Sequence, residues 1–314
     1  MNIFLKLIKV AIIKSALLTV AIKWQLLGVI KKDIKVKTRS GWLWVNTKDL
    51  GFSRDLWMLK GVREPFLTKR LEQEIKSGDT VIDIGANLGY YVLQEAKLVG
   101  QTGTIYAIEP VKENFLFLQK NINYNKLNNV RSFQLALGDK NKNGEINISQ
   151  KRNWSNVKQN LSKDFKLIKK QSVRMRALDS FIKGKKMPDI IRMDVEGYEI
   201  EIIHGMERIL KQKKLKIVIE THPHLVTNNA RRQMFKTLRS NGFKIKWVAI
   251  EPNPEQVYLN KSIFYGKILN LFSSWRKYIS DFDRSIISPT HKNVASSKRG
   301  LHILFEKNHN QICH

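Results

Sequence analysis

From residue 80 onward, short runs of β-branched and aromatic residues alternate with longer segments of helical periodicity. The strand-like runs cover residues 80–84, 104–108, 130–137, 190–193, 216–219, 243–250 and 302–305. The helical segments between them cover residues 88–98, 112–125, 199–210 and 229–240. Strands separated by helices of about 10–15 residues form right-handed βαβ units. The chain is therefore predicted to have an α/β fold, with a parallel sheet covered by helices on both faces.

The first of these strands runs directly into a glycine-containing turn, Gly85–Gly89, which is followed by a helix. Glycine provides positive φ and lets a ligand approach the backbone. In an open parallel sheet such a turn lies at the carboxyl edge, where ligands bind. Tight packing of strand against helix would also account for the glycines.

Glu109 lies twenty residues beyond Gly89, at the end of the next predicted strand. An acidic residue at that place can accept hydrogen bonds from both hydroxyls of a ribose. The turn itself lacks the G-x-G-x-x-G spacing that lets a pyrophosphate approach a helix N-terminus. The pattern therefore favours a nucleoside ligand without a pyrophosphate.

Six sequence blocks resemble the motifs of class I S-adenosylmethionine-dependent methyltransferases and, more specifically, the FkbM-type family. The resemblance extends over about residues 64–220, half the chain. The blocks are REPFLT at 63–68, DIGANLGYY at 83–91, ALGD at 136–139, RALD at 176–179, MDVEGYE at 193–199 and IETH at 219–222. The resemblance implies a Rossmann-like sheet of seven mostly parallel strands with an antiparallel last strand. It also implies S-adenosylmethionine as methyl donor and O-methylation of a hydroxyl on a glycan, lipid-linked or small-metabolite acceptor.

The resemblance also implies roles in donor binding for the residues around the glycine turn. Gly85, Asn87 and Gly89 would approach the methionine end, Asp83 would hold its ammonium group directly or through water, and Glu109 would bind the ribose.

The ALGD turn at 136–139 would line the adenine, with Asp139 as a partner of the exocyclic amine. An Asx-type turn into a hairpin at 141–144 accounts for Asp139 equally well.

A hydroxyl acceptor benefits from a nearby base, and four candidates follow the fourth and fifth strands of the motif region. They are Asp194, Glu196, Glu220 and His222, and Asp194 is the first choice. Simpler roles stay open for two of them, since Glu196 could offset the dipole of the helix that follows it and His222 could be an ordinary loop histidine.

A divalent metal is a further interpretation of the same residues. Asp194, Glu220 and His222 carry oxygen and nitrogen ligands that suit such an ion. Because their spacing on separate strands is not diagnostic, no metal is assigned.

The chain carries 56 Lys and Arg against 27 Asp and Glu, a formal net charge of +29. Residues 151–186 hold twelve basic side chains against Asp164 and Asp179. Such a segment attracts anionic partners or is a solvated basic face. The charge keeps open an RNA ribose 2′-O-methyltransferase, ranked second, and a non-catalytic scaffold for membranes or partners. Against the nucleic-acid alternative, no lysine follows the fifth strand beside Glu220.

Residues 1–30 are strongly apolar, but lysines interrupt them so that the longest uncharged run spans 15–22. They make a poor membrane-spanning segment and a weak secretion signal. They either lie on an anionic membrane surface or pack on the body of the protein.

The expected organisation has four parts. An N-terminal helix and β-hairpin (1–60) precede a methyltransferase core (61–250), a lid-like insertion between the last two strands (251–300) and a final strand with a tail (301–314). The single cysteine, Cys313, excludes an intramolecular disulfide. A cytoplasmic location, with peripheral membrane association through residues 1–30, is therefore expected.

Overall fold

The computed structural model of the protein describes residues 3–149, 167–223, 225–249, 251 and 301–307, with side chains from residue 11 onward except residue 12. The strands are β1 (Asp33–Lys37), β2 (Trp42–Asn46), β3 (Thr80–Ile84), β4 (Thr104–Ile108), β5 (Val130–Phe133), β6 (Ala136–Gly138), β7 (Lys142–Ser149), β8 (Leu167–Ala177), β9 (Ile190–Met193), β10 (Lys216–Thr221), β11 (Phe243–Ala249) and β12 (Leu301–Lys307). The helices are α1 (Ile3–Ile30), α2 (Phe52–Met58), α3 (Pro65–Glu74), α4 (Tyr90–Val99), α5 (Lys112–Tyr124), α6 (Leu178–Phe181), α7 (Glu199–His204), α8 (Glu207–Leu210) and α9 (Asn228–Ser240).

Within these ranges the central sheet has seven strands in the order β11-β12-β10-β9-β3-β4-β5. The pairs β10–β9, β9–β3, β3–β4 and β4–β5 are parallel. The last strand, β12, is antiparallel to both β10 and β11. The predicted Rossmann-like α/β fold is therefore confirmed, including its antiparallel last strand.

Alternate residues of the central strands face two separate apolar clusters. Ile82 and Ile84 belong to one cluster, which also contains residues of α7, α8 and α9. Val81 belongs to the other, with residues of α3, α4 and α5. Successive side chains of a strand point to opposite faces of its sheet, so helices cover both faces as predicted.

Two predicted elements are wrong in extent. The strand expected over 130–137 is split into β5 and β6, and β6 leaves the central sheet to join β8 and β7 in a three-stranded sheet. The helix expected over 199–210 is interrupted at Gly205, between α7 and α8. A Cβ atom at Gly205 would lie 2.0 Å from the carbonyl oxygen of Gly138, so α7 and β6 touch through their backbones.

The N-terminal elements pack on this body. Trp24 of α1 is 1% exposed and its ring centroid lies 5.4 Å from that of Trp57. The predicted hairpin is β1–β2, and it is held to α5 by Asn121, whose side chain bonds the backbone N–H and C=O of Trp44. By length and composition, Ile13–Ile30 could cross a membrane, although core helices and signal sequences pass the same criterion.

Several predictions lie outside the described residues. They concern most of the basic stretch (150–166), the lid-like insertion (252–300) and the tail with Cys313 (308–314).

Candidate active site

A cavity of about 290 Å³ opens at the carboxyl edge of the central sheet, across the ends of β4, β3, β9 and β10. We call its two halves the Glu109 end and the His222 end. The Glu109 end comprises Asn87, Glu109, Asn114, Leu135 and Leu137. The His222 end comprises Arg192, Asp194, Glu196, Glu220 and His222. Since β3 lies between β4 and β9, the turn after β3 separates the two halves.

At the Glu109 end a single carboxylate is held by backbone groups. One oxygen of Glu109 accepts from the Asn87 N–H and the other from the Val111 N–H, both at 2.9 Å. The Asn114 amide lies 3.5 Å from the second oxygen. Burial raises the pKa of Glu109 to about 7, although these donors oppose the shift.

The glycine turn lies at the midpoint of the cavity. Gly85 has a φ of +83°, and a Cβ atom there would lie 1.9 Å from the carbonyl oxygen of Asp194. The glycine is thus required both by its conformation and by the close approach of the chain after β9. Asn87 lines the cavity, whereas Gly89 precedes α4, with a φ of +93°, and does not line it.

Asp83, predicted to hold the ammonium group of the donor, has a different position in the structure. Its side chain is fully buried, does not line the cavity, and pairs with Arg192 at 2.6 Å. Burial raises the pKa of Asp83, and the Arg192 guanidinium opposes the shift. Asp83 therefore has no surface on the cavity through which it could contact a ligand directly. Arg192, its partner, lines the cavity instead.

Arg192 was not among the residues singled out from the sequence. Its guanidinium stacks on the ring of Tyr91, 4.0 Å from the ring centroid, and one nitrogen lies 3.4 Å from Asp194 Oδ2. The signal was present in the sequence, because Arg192 is a charged residue inside the apolar strand β9. It is also the registered partner of Asp83 on β3.

At the His222 end an imidazole is surrounded by four carboxylates. His222 Nδ1 lies 3.1 Å from Glu199 Oε1, which also accepts from the Gly197 N–H. The other ring nitrogen, Nε2, lies 3.5 Å from Glu196, 3.7 Å from Asp194 and 3.8 Å from Glu220. Burial lowers the pKa of His222, but Glu196, Glu199 and Glu220 outweigh it and raise the pKa well above its usual value.

The close packing of these groups also shifts the pKa values of the acids. Burial, reinforced by the neighbouring Glu220 carboxylate, raises the pKa of Asp194 to about 7. Burial likewise raises the pKa of Glu196 to about 8, and it also raises the pKa of Glu220. The charge of His222 opposes both shifts. The structure thus brings together all four residues predicted to serve the acceptor, and Asp194 remains about one quarter exposed to the cavity.

Asp139 lies outside both halves of the cavity. Its carboxylate pairs with Lys142 at 3.1 Å on the surface, with about a third of the side chain exposed. Leu135, Ala136 and Leu137 line the cavity, but the chain turns away after Gly138. Asp139 thus lies outside the lining of the cavity, and its role as a partner of the adenine stays a prediction.

Among the residues that the structure describes, two triads have ligand atoms within 4.8 Å of one another and could hold a metal ion. They are Asp194, Glu220 and His222, and Glu64, Glu220 and His302. Such acidic groups are common without a metal, and Arg192 already places positive charge beside the first triad. No metal is assigned.

Comparison with known proteins identifies the family. Residues 83–245, more than half of the 314-residue chain, match the model of the methyltransferase FkbM domain. The chain belongs to the FkbM methyltransferase family.

Individual relatives are distant. A hexuronic acid methyltransferase, AglP, from Haloferax volcanii is 21% identical over 171 residues, which cover 54% of this chain and 66% of AglP. A protein-L-isoaspartate O-methyltransferase from Fervidobacterium nodosum is 42% identical over 57 residues, 18% of this chain and 29% of that protein. The crystal structure of an FkbM methyltransferase from Methylobacillus flagellatus aligns at 13% identity with a TM-score of 0.41, over 74% of this chain and 55% of its own. This FkbM chain therefore spans less than two thirds of each of these relatives.

Proposed function

We propose that the protein is an S-adenosylmethionine-dependent O-methyltransferase that acts on a hydroxyl of a glycan or lipid-linked acceptor. The observation that carries the proposal is the cavity that joins the Glu109 end to the His222 end. A carboxylate suited to a ribose and a group of acids suited to an acceptor hydroxyl thereby share one cavity.

The Glu109 end fits the nucleoside part of the donor. Val111 and Asn114 donate to one oxygen of Glu109, and the Asn87 N–H donates to the other, which keeps a lone pair for a ribose hydroxyl. Leu135, Leu137 and Ile146 offer apolar surface for the adenine. When bound, the donor supplies an electrophilic methyl group on a sulfonium, and the acidic lining of the cavity favours that positive charge.

At the His222 end we assign the base to Asp194. The pKa of Asp194 is about 7, which suits proton removal at neutral pH, and its side chain is open to the cavity. The acceptor hydroxyl would pass its proton to Asp194 as its oxygen bonds to the methyl carbon and the carbon–sulfur bond breaks. His222, held by Glu199, acts as a positive partner that keeps the surrounding carboxylates in place.

The choice of acceptor is supported by the similarity to AglP, whose name assigns it a hexuronic acid, and by the excess of positive charge, which suits an anionic acceptor. We propose a cytoplasmic setting, because the chain has a single cysteine and so no intramolecular disulfide.

The test is methyl transfer from labelled S-adenosylmethionine to fractionated extract, followed by mass identification of the product. We expect label in a glycan or lipid-linked fraction, transferred about 10³-fold more slowly by Asp194→Asn. Label in RNA instead would show that the acceptor is a ribose hydroxyl of RNA and not a glycan or lipid-linked hydroxyl. A wild-type protein that neither binds the donor in calorimetry nor labels any fraction would leave only a non-catalytic scaffold.

A further inference from the structure

Helix α1 has two apolar faces, of which the protein covers one. Ala16, Val20 and Trp24 recur every four residues, and each is at most 5% exposed. Val20 packs with Met58 and Leu59, which lie at the end of α2 and just after it. The body of the protein thus holds α1 through a single stripe.

The other face carries large apolar side chains that contact water. Leu18, Ile22, Leu26 and Val29 are between 47% and 85% exposed. At 3.6 residues per turn these four side chains fall within about 80° of the helix circumference, opposite the buried stripe. We call them the outer stripe. Exposed apolar side chains that are contiguous rather than scattered mark an interaction surface.

Lysines border the outer stripe on both sides. Lys14 lies about 40° beyond Leu18 in one direction around the helix, and Lys23 about 60° beyond Leu26 in the other. Both are exposed, as are Lys31 and Lys32 immediately after the helix. The sequence has no acidic residue before Asp33.

We propose that the outer stripe of α1 binds the surface of an anionic lipid bilayer. The helix lies in the plane of the interface, with its apolar side chains among the acyl chains and its lysines at the headgroups. Lysine side chains suit this position because their stems cover apolar surface while the ammonium group stays in water.

The packing of α1 argues against a spanning helix, although Ile13–Ile30 is long enough to cross a bilayer. A spanning helix faces lipid around most of its circumference. Here Trp24 and Val20 contact α2 and the residue after it, so a spanning α1 would draw that part of the body into the hydrocarbon.

The charge argues against a second copy of this chain as the occupant. In a two-fold dimer through the outer stripe, a basic border of one copy would meet a basic border of the other. Anionic lipid instead turns the same lysines into attractive contacts, each of which strengthens binding near the surface.

The experiment is flotation of the full chain with vesicles of phosphatidylcholine alone, or with about one third phosphatidylglycerol. We expect binding that is at least tenfold stronger to the anionic vesicles and that weakens with salt. Replacing Leu18, Ile22 and Leu26 by Gln should lower binding to anionic vesicles at least tenfold. Lys14→Gln with Lys23→Gln should lower it about tenfold.

A matched control removes three exposed apolar side chains elsewhere: Leu116, Ile168 and Met187, each replaced by Gln. This variant should bind vesicles like the wild type. All the variants should keep the wild-type circular dichroism and melting temperature, because the substituted side chains are exposed.

Three results would overturn the proposal. The first is equal vesicle binding by the stripe variant and the control. The second is a dimer in sedimentation velocity that the stripe variant converts to monomer. The third is wild-type protein that stays with cell membranes through an alkaline carbonate wash, which releases peripheral proteins but not spanning ones.

Discussion

The two halves of the cavity hold their charged groups by different means. At the Glu109 end one carboxylate is fixed by two backbone N–H groups from its own neighbourhood, those of Asn87 and Val111. At the His222 end the side chains of Asp194, Glu199, Glu220 and His222 contact one another, and the Gly197 N–H donates to Glu199. A group held by backbone keeps its position when a neighbour changes, whereas a group held by charge shifts with each neighbour. Substitutions at the Glu109 end should therefore have separable effects, and those at the His222 end should be coupled.

The largest expected effect is at the proposed base. Asp194→Asn removes proton acceptance but keeps the size of the side chain, so we expect kcat to fall by about 10³. Affinity for the donor, measured by calorimetry, should change less than threefold, because the Glu109 end is intact. A tenfold loss of donor affinity would mean that the two halves are not separable.

The next effect is the pH dependence of kcat/KM for the acceptor. Asp194 must be ionised to accept a proton, and its pKa is about 7, so activity should rise with pH through neutrality. We expect about 100-fold less activity at pH 5 than at pH 8. The residual activity of Asp194→Asn should lack this slope, and the same slope in that variant would point to Glu196.

Glu109→Gln tests the other half. Hydrogen bonds to a charged acceptor contribute about 1.5–3 kcal/mol, so the donor should bind about 10- to 100-fold more weakly. At saturating donor, kcat should stay within about threefold of the wild type. A fall in kcat comparable with that of Asp194→Asn would contradict the separation of the halves.

Glu199→Gln should have a smaller effect, exerted through His222. The amide keeps an acceptor for His222 Nδ1 but removes the charge that raises the pKa of the imidazole. We expect kcat to fall about tenfold, with donor affinity unchanged. A histidine resonance followed by NMR should titrate at lower pH in the variant, which a merely structural role for Glu199 would not produce.

The smallest effect is expected at Asp139. Its carboxylate lies outside the cavity and pairs with Lys142 on the surface, and such exposed pairs contribute little. Asp139→Ala should therefore change donor affinity less than twofold. A larger loss of donor affinity would support the contact between Asp139 and adenine that the sequence predicted.

The difference between the two halves of the cavity also bears on what could be predicted from the sequence. Glu109 and the glycine turn were recognisable because their positions depend on local chain geometry, a strand end followed by a tight turn. The four residues predicted to serve the acceptor could be placed together from the sequence because strand ends converge at one edge of a parallel sheet. The fold itself followed from short apolar runs that alternate with helical segments, and the nearly complete burial of β3, β4 and β9 agrees with those runs.

Long-range pairing could not be predicted from the sequence. The burial of Asp83 against Arg192 depends on which residues face each other across β3 and β9, and thus on register. Similarly, the break in the helix at Gly205 follows from the approach of Gly138 from another sheet. The departure of β6 from the central sheet placed Asp139 on the surface, and no local pattern marks that departure.

The contact between Gly85 and the Asp194 carbonyl bears on how controls for this protein should be designed. Replacing a glycine of the glycine turn is one way to design a variant that does not bind the donor. Here any side chain at Gly85 would push directly on the backbone that carries the proposed base. An inactive Gly85 variant would leave the failed step unidentified, since donor loading and proton transfer would be lost together. Glu109→Gln and Asp194→Asn, used as a pair, keep those two steps apart.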